Sequence, residues 1–134
     1  MENGLNTLVK GAIHNPNEPR HFMRIKPVNK VVTISLKNEP LAKTTHALRL
    51  MEVGKDIYDP VFYLPRGDIL VPLEQVADKE THCPLKGDAS YWCLRDQGTH
   101  IAWSYDKPFE FADQLAGYIA FDAALVDIYE APAG

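Results

Sequence analysis

The amino-acid sequence predicts a mainly β domain, either a small antiparallel barrel-like fold or a pair of packed antiparallel sheets, with one or two short helices. Three observations support this fold class. Apolar and polar residues alternate with a period of two along much of the chain from residue 21 onward, as in half-buried strands. Turn-forming residues recur about every eight to twelve residues, which is typical of small all-β folds. No internal repeat, heptad or low-complexity tract interrupts this pattern.

The first part of the chain is polar and rich in turn residues, and we expect residues 1–19 to form an extended arm. The turn residues of this segment are Gly11, Asn15, Pro16, Asn17 and Pro19. We expect residues 20–134 to form one domain, because a chain of 134 residues has the length of a single domain with its own core.

Several of the following segments are interpreted as strands. Residues 32–37 alternate strictly between apolar and polar side chains. Residues 47–52 fit either a helical turn or a strand, and we favour a strand because the segment is short and follows two threonines. Residues 61–64 form a short aromatic-rich strand between two prolines, and residues 66–70 are expected to turn, with one helical turn.

The best hairpin candidate lies in the second half of the chain. Residues 90–94 and 101–105 are expected to pair through a polar five-residue loop that contains a glycine. Residues 109–115 contain no Gly or Pro and are expected to form a short helix, which Gly117 ends. The β pattern is completed by residues 118–121 and 125–129.

Composition excludes several classes of function. Hydrophobic residues make up 46% of the chain and charged residues 24%, which is ordinary for a globular domain. The formal net charge of -4 argues against non-specific nucleic-acid binding. The sequence has no apolar run of about 18 residues and no secretory signal at its N-terminus. We therefore expect a cytoplasmic protein with reduced thiols and neither a nucleic-acid nor a membrane partner.

Four segments carry a resemblance to a known family. They are residues 60–68, 81–92, 102–105 and 116–121, and a specific motif among them is Cys83-Pro84-x-Lys86-Gly87-x-Ala89-x-Tyr91-Trp92. From about residue 22 to residue 130, the chain resembles the domain-of-unknown-function family 427. The resemblance implies a compact antiparallel β fold of the β-tent group, in which two sheets meet at an angle. The family sometimes carries a nucleotidyltransferase-like label, but the resemblance implies no established reaction.

The sequence supports neither a Walker-type nucleotide site nor a metal site. Lys86-Gly87 is similar to the end of a P-loop, but the upstream glycine is missing and Asp88 replaces the Ser or Thr that would hold Mg²⁺. No pair of carboxylates has a recognisable metal-binding spacing. Cys83 and Cys93 do not form the Cys-x-x-Cys knuckle that several β-tent relatives use for zinc, so we expect neither a metal nor another cofactor.

Cys83 is a candidate nucleophile. Lys86, three residues away, would favour the thiolate, so these two residues are the candidate catalytic pair. His82 is a poor base for this thiol, because neighbouring side chains on a strand point to opposite faces. The alternative is that Cys83 is a small buried hydrophobic residue beside Pro84.

The aromatic residues of the family motifs predict a ligand pocket. Alternation places Tyr91 on the face opposite Trp92, and Trp103 on the same face as Tyr105. Aromatic walls with a few charged groups are typical of small-molecule sites. The candidate ligand-binding residues are Tyr63, Arg66, Lys86, Asp88, Tyr91, Trp103 and Tyr105. The alternative is that the aromatic residues only fill the core of a small β domain.

The sequence thus leaves three functions open. The first is a non-catalytic domain that binds a small anionic or aromatic ligand, with Arg and Lys supplying positive charge. The second is a small enzyme that uses Cys83 and Lys86. The third is an oligomerising scaffold, and we expect a monomer or a homodimer.

Overall fold

A computed structural model describes residues 9–95 and 98–133 as two antiparallel β-sheets. Within these residues there are eleven strands: β1 (Ile13–Asn15), β2 (Glu18–Pro27), β3 (Lys30–Leu36), β4 (Glu39–Thr44), β5 (Leu48–Val53), β6 (Val61–Pro65), β7 (Leu73–Cys83), β8 (Gly87–Leu94), β9 (His100–Ser104), β10 (Tyr118–Phe121) and β11 (Asp127–Pro132). The large sheet has the order β1-β2-β5-β6-β10-β9-β8-β7, and the small sheet has the order β11-β3-β4. The predicted mainly β, antiparallel fold is confirmed, and the large sheet is not closed into a barrel.

The predicted arm overlaps the large sheet. Strand β1 pairs with the start of β2, so the expected boundary at residue 19 falls inside a strand. Two of the turn residues interpreted as an arm, Pro16 and Asn17, instead form the turn of the β1–β2 hairpin, in which the Asn17 amide donates to Asn15 Oδ1 at 2.9 Å. Residues 1–8 lie outside the described part of the chain.

The small sheet confirms the strand predicted at residues 32–37. Its β3–β4 hairpin turns at Lys37 and Asn38, whose φ angles are 50° and 68°. Two successive positive φ angles define the type I′ turn, whose twist matches that of the flanking strands. The strand predicted at residues 47–52 is also confirmed, as β5 of the large sheet.

The predicted hairpin in the second half of the chain is confirmed by the pairing of β8 with β9. Residues 96 and 97 of its loop lie outside the described residues. Strand β7 was not predicted, because it is a mostly exposed edge strand whose residues are largely polar and do not alternate. A β-bulge between Gln75 and Glu80, where Asp78 has a φ of 57°, interrupts its pairing with β8.

Two short 3-10 helices are found in the described residues, in agreement with the prediction of one or two short helices. They are Arg66–Asp68, directly after β6, and Glu110–Leu115, which precedes β10. The second helix buries Ala112 and Leu115 against the large sheet. In the described part of the chain, no helix has the length and apolar character needed to cross a membrane.

The large sheet has an apolar core on each face. On one face it packs against the small sheet, through buried residues that include Val32, Ile34, Leu64, Ala102 and Phe121. On the other face, residues from strands far apart in the sheet pack together, among them Met23, Leu50, Tyr63 and Ala89, and Tyr105, directly after β9, packs with them.

The large sheet must therefore be strongly curled. Strands β5 and β8 are four positions apart, which in a flat sheet would separate them by about 19 Å. Yet Glu52 of β5 and Lys86, directly before β8, are 2.7 Å apart. The functional residues described next lie on this inner surface of the curl.

Candidate functional site

The core on the inner surface of the curled large sheet, called the inner core below, opens at one end into a cavity of about 300 Å³. Five aromatic side chains line it: Tyr58, Tyr63, Tyr91, Trp103 and Tyr105. The other lining residues are Leu50, Val61 and four polar residues, Glu52, Asp59, Lys86 and His100. We call this space the aromatic cavity.

A buried ion pair lies beside the aromatic cavity. Lys86 Nζ donates to Glu52 Oε1 at 2.7 Å, and the two side chains are only 9% and 17% exposed. His21 Nε2 is 2.8 Å from the second carboxylate oxygen, Glu52 Oε2. Both oxygens of the carboxylate are therefore occupied, which makes Glu52 an anchor for its neighbours rather than a free base.

The β7–β8 turn carries Lys86 into the interior. The Lys86 amide donates to the Cys83 carbonyl at 3.2 Å, and its own carbonyl accepts from the Phe109 amide at 3.1 Å. Leu85 is fully buried beside it. Gly87 follows with a φ of 114°, a backbone conformation that residues with a side chain rarely adopt. The Cys-Pro-x-Lys-Gly motif thus serves to aim the lysine inward.

Glu52 and His21 occupy inward-facing strand positions that are otherwise apolar. On β5, Leu48 and Leu50 share the inward face with Glu52. On β2, His21 continues the inward row of Met23. Neither residue was among the site residues predicted from the sequence. A polar side chain in the apolar phase of an alternating strand is the sequence signal that would have found them.

A chain of hydrogen bonds fixes the tautomer of His21. Asn15 Oδ1 accepts from the Asn17 amide at 2.9 Å, so the Asn15 amide nitrogen faces His21 Nδ1, 3.2 Å away. Nδ1 must then accept, and His21 Nε2–H donates to Glu52. The negative charge of Glu52 then pairs with Lys86.

The surroundings of the ion pair stabilise both charges. Burial raises the pKa of Glu52, but Lys86 and His21 lower this pKa by more, so it lies below the usual value. Burial disfavours the ammonium of Lys86, but Tyr63, Cys83 and Glu52 outweigh it and raise the pKa of Lys86. At neutral pH Lys86 is therefore an ammonium group and a hydrogen-bond donor, not an amine nucleophile.

The tyrosine hydroxyls of the aromatic cavity stay protonated. Burial raises the pKa of Tyr63 to about 12, although the ammonium of Lys86 works in the opposite direction. Burial also raises the pKa of Tyr105, and the neighbouring Tyr63 and Cys83 add to this effect. Both hydroxyls can therefore donate hydrogen bonds throughout the physiological pH range.

The aromatic walls are held in place by their own contacts. Trp103 Nε1 donates to the Tyr63 hydroxyl at 3.2 Å. The Tyr91 hydroxyl is hydrogen-bonded to Thr81 Oγ1 at 2.7 Å, and the His100 ring packs edge-on against Tyr91 with 5.0 Å between ring centroids. These contacts hold the walls in one arrangement.

The structure places most of the predicted ligand-binding residues around the aromatic cavity and two of them elsewhere. Tyr63, Lys86, Tyr91, Trp103 and Tyr105 all line it. The two that do not are Arg66 and Asp88.

Arg66 lies over the ring of Trp92, 4.3 Å from its centroid, and 3.7 Å from Asp106. Trp92 belongs to the core on the opposite face of the sheet, as the alternation predicted. Asp88 is exposed and bonds His82 at 2.8 Å. Neither residue is among those lining the aromatic cavity.

Cys83 lines a second, wider cavity of about 750 Å³ together with His21, Glu52, Tyr58 and His82. It is half-buried, and its thiol is free. Cys93, the other cysteine, is buried and also free. Across residues 9–95 and 98–133, no three His, Cys, Asp or Glu side chains are close enough together to hold a metal ion.

Fold and site together define a small antiparallel β domain with a curled sheet, a buried ion pair and an adjacent aromatic cavity. Residues 24–132 match the model of a family described as a domain of unknown function, DUF427, and the chain belongs to this family. The match confirms the resemblance found in the sequence motifs. No curated protein sequence matches the chain. The family description names no activity, so an inference about function must rest on the site.

Proposed function

We propose that this domain binds a small, flat organic molecule in the aromatic cavity. The observation that carries the proposal is the set of five aromatic side chains around a space of about 300 Å³ with a buried ammonium group at its wall. Such a volume lies at the lower end of ligand sites and suits one ring or two fused rings.

The charges of the aromatic cavity favour an uncharged ligand over the anionic ligand considered from the sequence. Lys86 is already paired with Glu52, and Arg66 lies outside the lining. Asp59 adds a second carboxylate to that lining. Two carboxylates and one ammonium group give a negative balance, which disfavours an anion by Coulomb repulsion.

The test is a binding screen of one- and two-ring fragments by saturation-transfer NMR, followed by variants of two exposed tyrosines. Tyr58 lines the aromatic cavity and is 45% exposed, whereas Tyr129, on β11 of the small sheet, is 57% exposed. Because both are on the surface, Tyr58→Ala and Tyr129→Ala should both fold. We expect Tyr58→Ala to weaken binding about threefold to tenfold, the usual value of one aromatic contact, and Tyr129→Ala to leave it unchanged. Equal binding by both variants would contradict the proposal.

Native mass spectrometry of the purified protein complements the screen. Extra mass that is lost on denaturation would identify a molecule that is retained through purification. The same spectrum distinguishes a monomer from a homodimer, the two states that the sequence left open.

A thiol-dependent enzyme is the second candidate function. Cys83 is half-buried and lines the wider cavity beside His21 and Glu52, and Lys86 is near enough for the thiol to influence its pKa. A pH series of alkylation with iodoacetamide tests it. An activated thiol would react at a pH well below the ordinary thiol pKa of about 8.5. Reaction only near that pH, or protection from the reagent, would remove this candidate.

A further inference from the structure

Building on the proposed binding function, we propose that the aromatic cavity selects a flat ring carrying an oxo oxygen, as in a pyridone or a pyrimidinone. Tyr105, Lys86 and Tyr63 donate the hydrogen bonds that recognise this oxygen. These three residues line the cavity together, and Lys86 Nζ lies 5.8 Å from the centre of the Tyr105 ring. The class of ligand follows from the donors and acceptors that the site leaves unused.

Tyr105 provides an unused hydroxyl. Its side chain belongs to the inner core, and the residue is only 7% exposed. Its hydroxyl has no hydrogen-bond partner among the residues that the structure describes. Every fully inaccessible polar side-chain atom in that part of the chain does have a partner. The Tyr105 hydroxyl is therefore solvent-accessible, and the cavity that this residue lines is the aromatic cavity.

Lys86 and Tyr63 add further donors. An ammonium group has three N–H bonds, and Lys86 uses one of them for Glu52. The Tyr63 oxygen accepts from Trp103, which leaves its own proton to donate. The raised pKa values of both tyrosines keep these protons in place at neutral pH.

The buried carboxylate of the site is already hydrogen-bonded at both of its oxygens. Glu52 is the buried acceptor of the lining, and its two oxygens are taken by Lys86 and His21. A ligand group that faces these donors must therefore accept hydrogen bonds. An oxo oxygen carried by the ring accepts hydrogen bonds without adding a charge, and the flat ring fits between the aromatic walls.

Four single-ring probes separate this class from the alternatives: 2-pyridone, benzoate, benzylammonium and toluene. Dissociation constants are measured for each by titration of the tryptophan fluorescence and by saturation-transfer NMR. We expect 2-pyridone to bind most tightly. Tyr105→Phe, which removes only the hydroxyl, should weaken 2-pyridone about threefold to tenfold, the effect of one hydrogen bond. The matched control is Tyr118→Phe, because Tyr118 packs in the same core but is not among the residues lining the cavity.

The outcomes separate the two proposals. If benzoate, benzylammonium or toluene binds more tightly than 2-pyridone and Tyr58→Ala weakens that binding, the ligand class is wrong but the binding function stands. Unchanged 2-pyridone affinity in Tyr105→Phe also overturns the class. If no probe binds, or if Tyr58→Ala affects none of them, the proposed binding function itself is overturned.

Discussion

The buried ion pair between Glu52 and Lys86 gives the sharpest test of the site. Glu52→Gln keeps the size of the side chain and removes its charge, so that the Lys86 ammonium stays buried without a counter-ion. Removing one partner of a buried pair typically costs about 3–5 kcal/mol. Because the two side chains are 17% and 9% exposed rather than fully enclosed, we expect the lower end, about 3 kcal/mol. For a domain of this length that lowers Tm by roughly 10 °C.

The matched control is Glu130→Gln. Glu130 pairs with Arg49 at 2.8 Å, nearly the same distance, but these two side chains are 35% and 34% exposed. A pair that water reaches contributes less, and we expect a loss of at most about 1 kcal/mol. Both free energies of unfolding come from urea titrations followed by tryptophan fluorescence. The two ion pairs thus have nearly the same N–O distance and differ in the burial of their side chains.

A double variant separates the pair from other effects of the substitution. Lys86→Met in the Glu52→Gln background removes the orphaned charge, so the double variant should cost about 2 kcal/mol less than the sum of the two single variants. If Glu52→Gln and Glu130→Gln lose the same small free energy, or if the two single losses simply add, water screens the Glu52–Lys86 pair, and the assignment of a desolvated site is wrong.

Three further predictions follow from named features of the structure. Folding lowers the pKa of Glu52 from its ordinary value of 4.5, so the contribution of this carboxylate to stability is full above that pH and is lost as the pH falls below it. When unfolding is measured over an acid titration, Glu52→Gln should therefore lose less stability with falling pH than the wild type does. Lys37→Asn should stabilise the domain by about 0.5–1 kcal/mol, because asparagine tolerates the positive φ of the type I′ turn better than lysine; an unchanged urea midpoint would contradict this explanation of the turn. Gly87→Ala should cost about 1–3 kcal/mol, because its φ of 114° strains any residue with a side chain, and thermal unfolding that matches the wild type would show that the turn relaxes freely.

Much of the fold could be predicted from the local pattern of apolar and polar residues. The alternation of residues 32–37 and the two aromatic segments around the β8–β9 loop predicted strands that the structure confirms. Their signal is strong because each has one buried face, so that every second residue must be apolar. Strand β7 has no such constraint. It lies at the edge of the large sheet with mostly exposed side chains, and nothing in its composition required it to be a strand.

Part of the candidate site could also be predicted from the sequence, because it lies on the strands whose apolar and polar residues alternate. Alternation placed Tyr91 on the face opposite Trp92, and the cores on the two sides of the sheet confirm that separation. The motif around Lys86 drew attention to the lysine, although its partner was not named. Arg66 and Asp88 were grouped with the aromatic residues through sequence proximity, and nearness along a chain does not determine the face or the end of a sheet.

The sequence by itself determined the fold class, the family and the separation of Tyr91 from Trp92 onto opposite faces, because these depend on local periodicity and local motifs. Only the tertiary structure decided that Glu52 meets Lys86. The two residues are 34 positions apart, and a flat sheet would keep β5, which carries Glu52, far from β8, which begins directly after Lys86. Curling of the large sheet brings them together. That curl is a property of eight strands twisting as one sheet, and no short segment of the chain contains it.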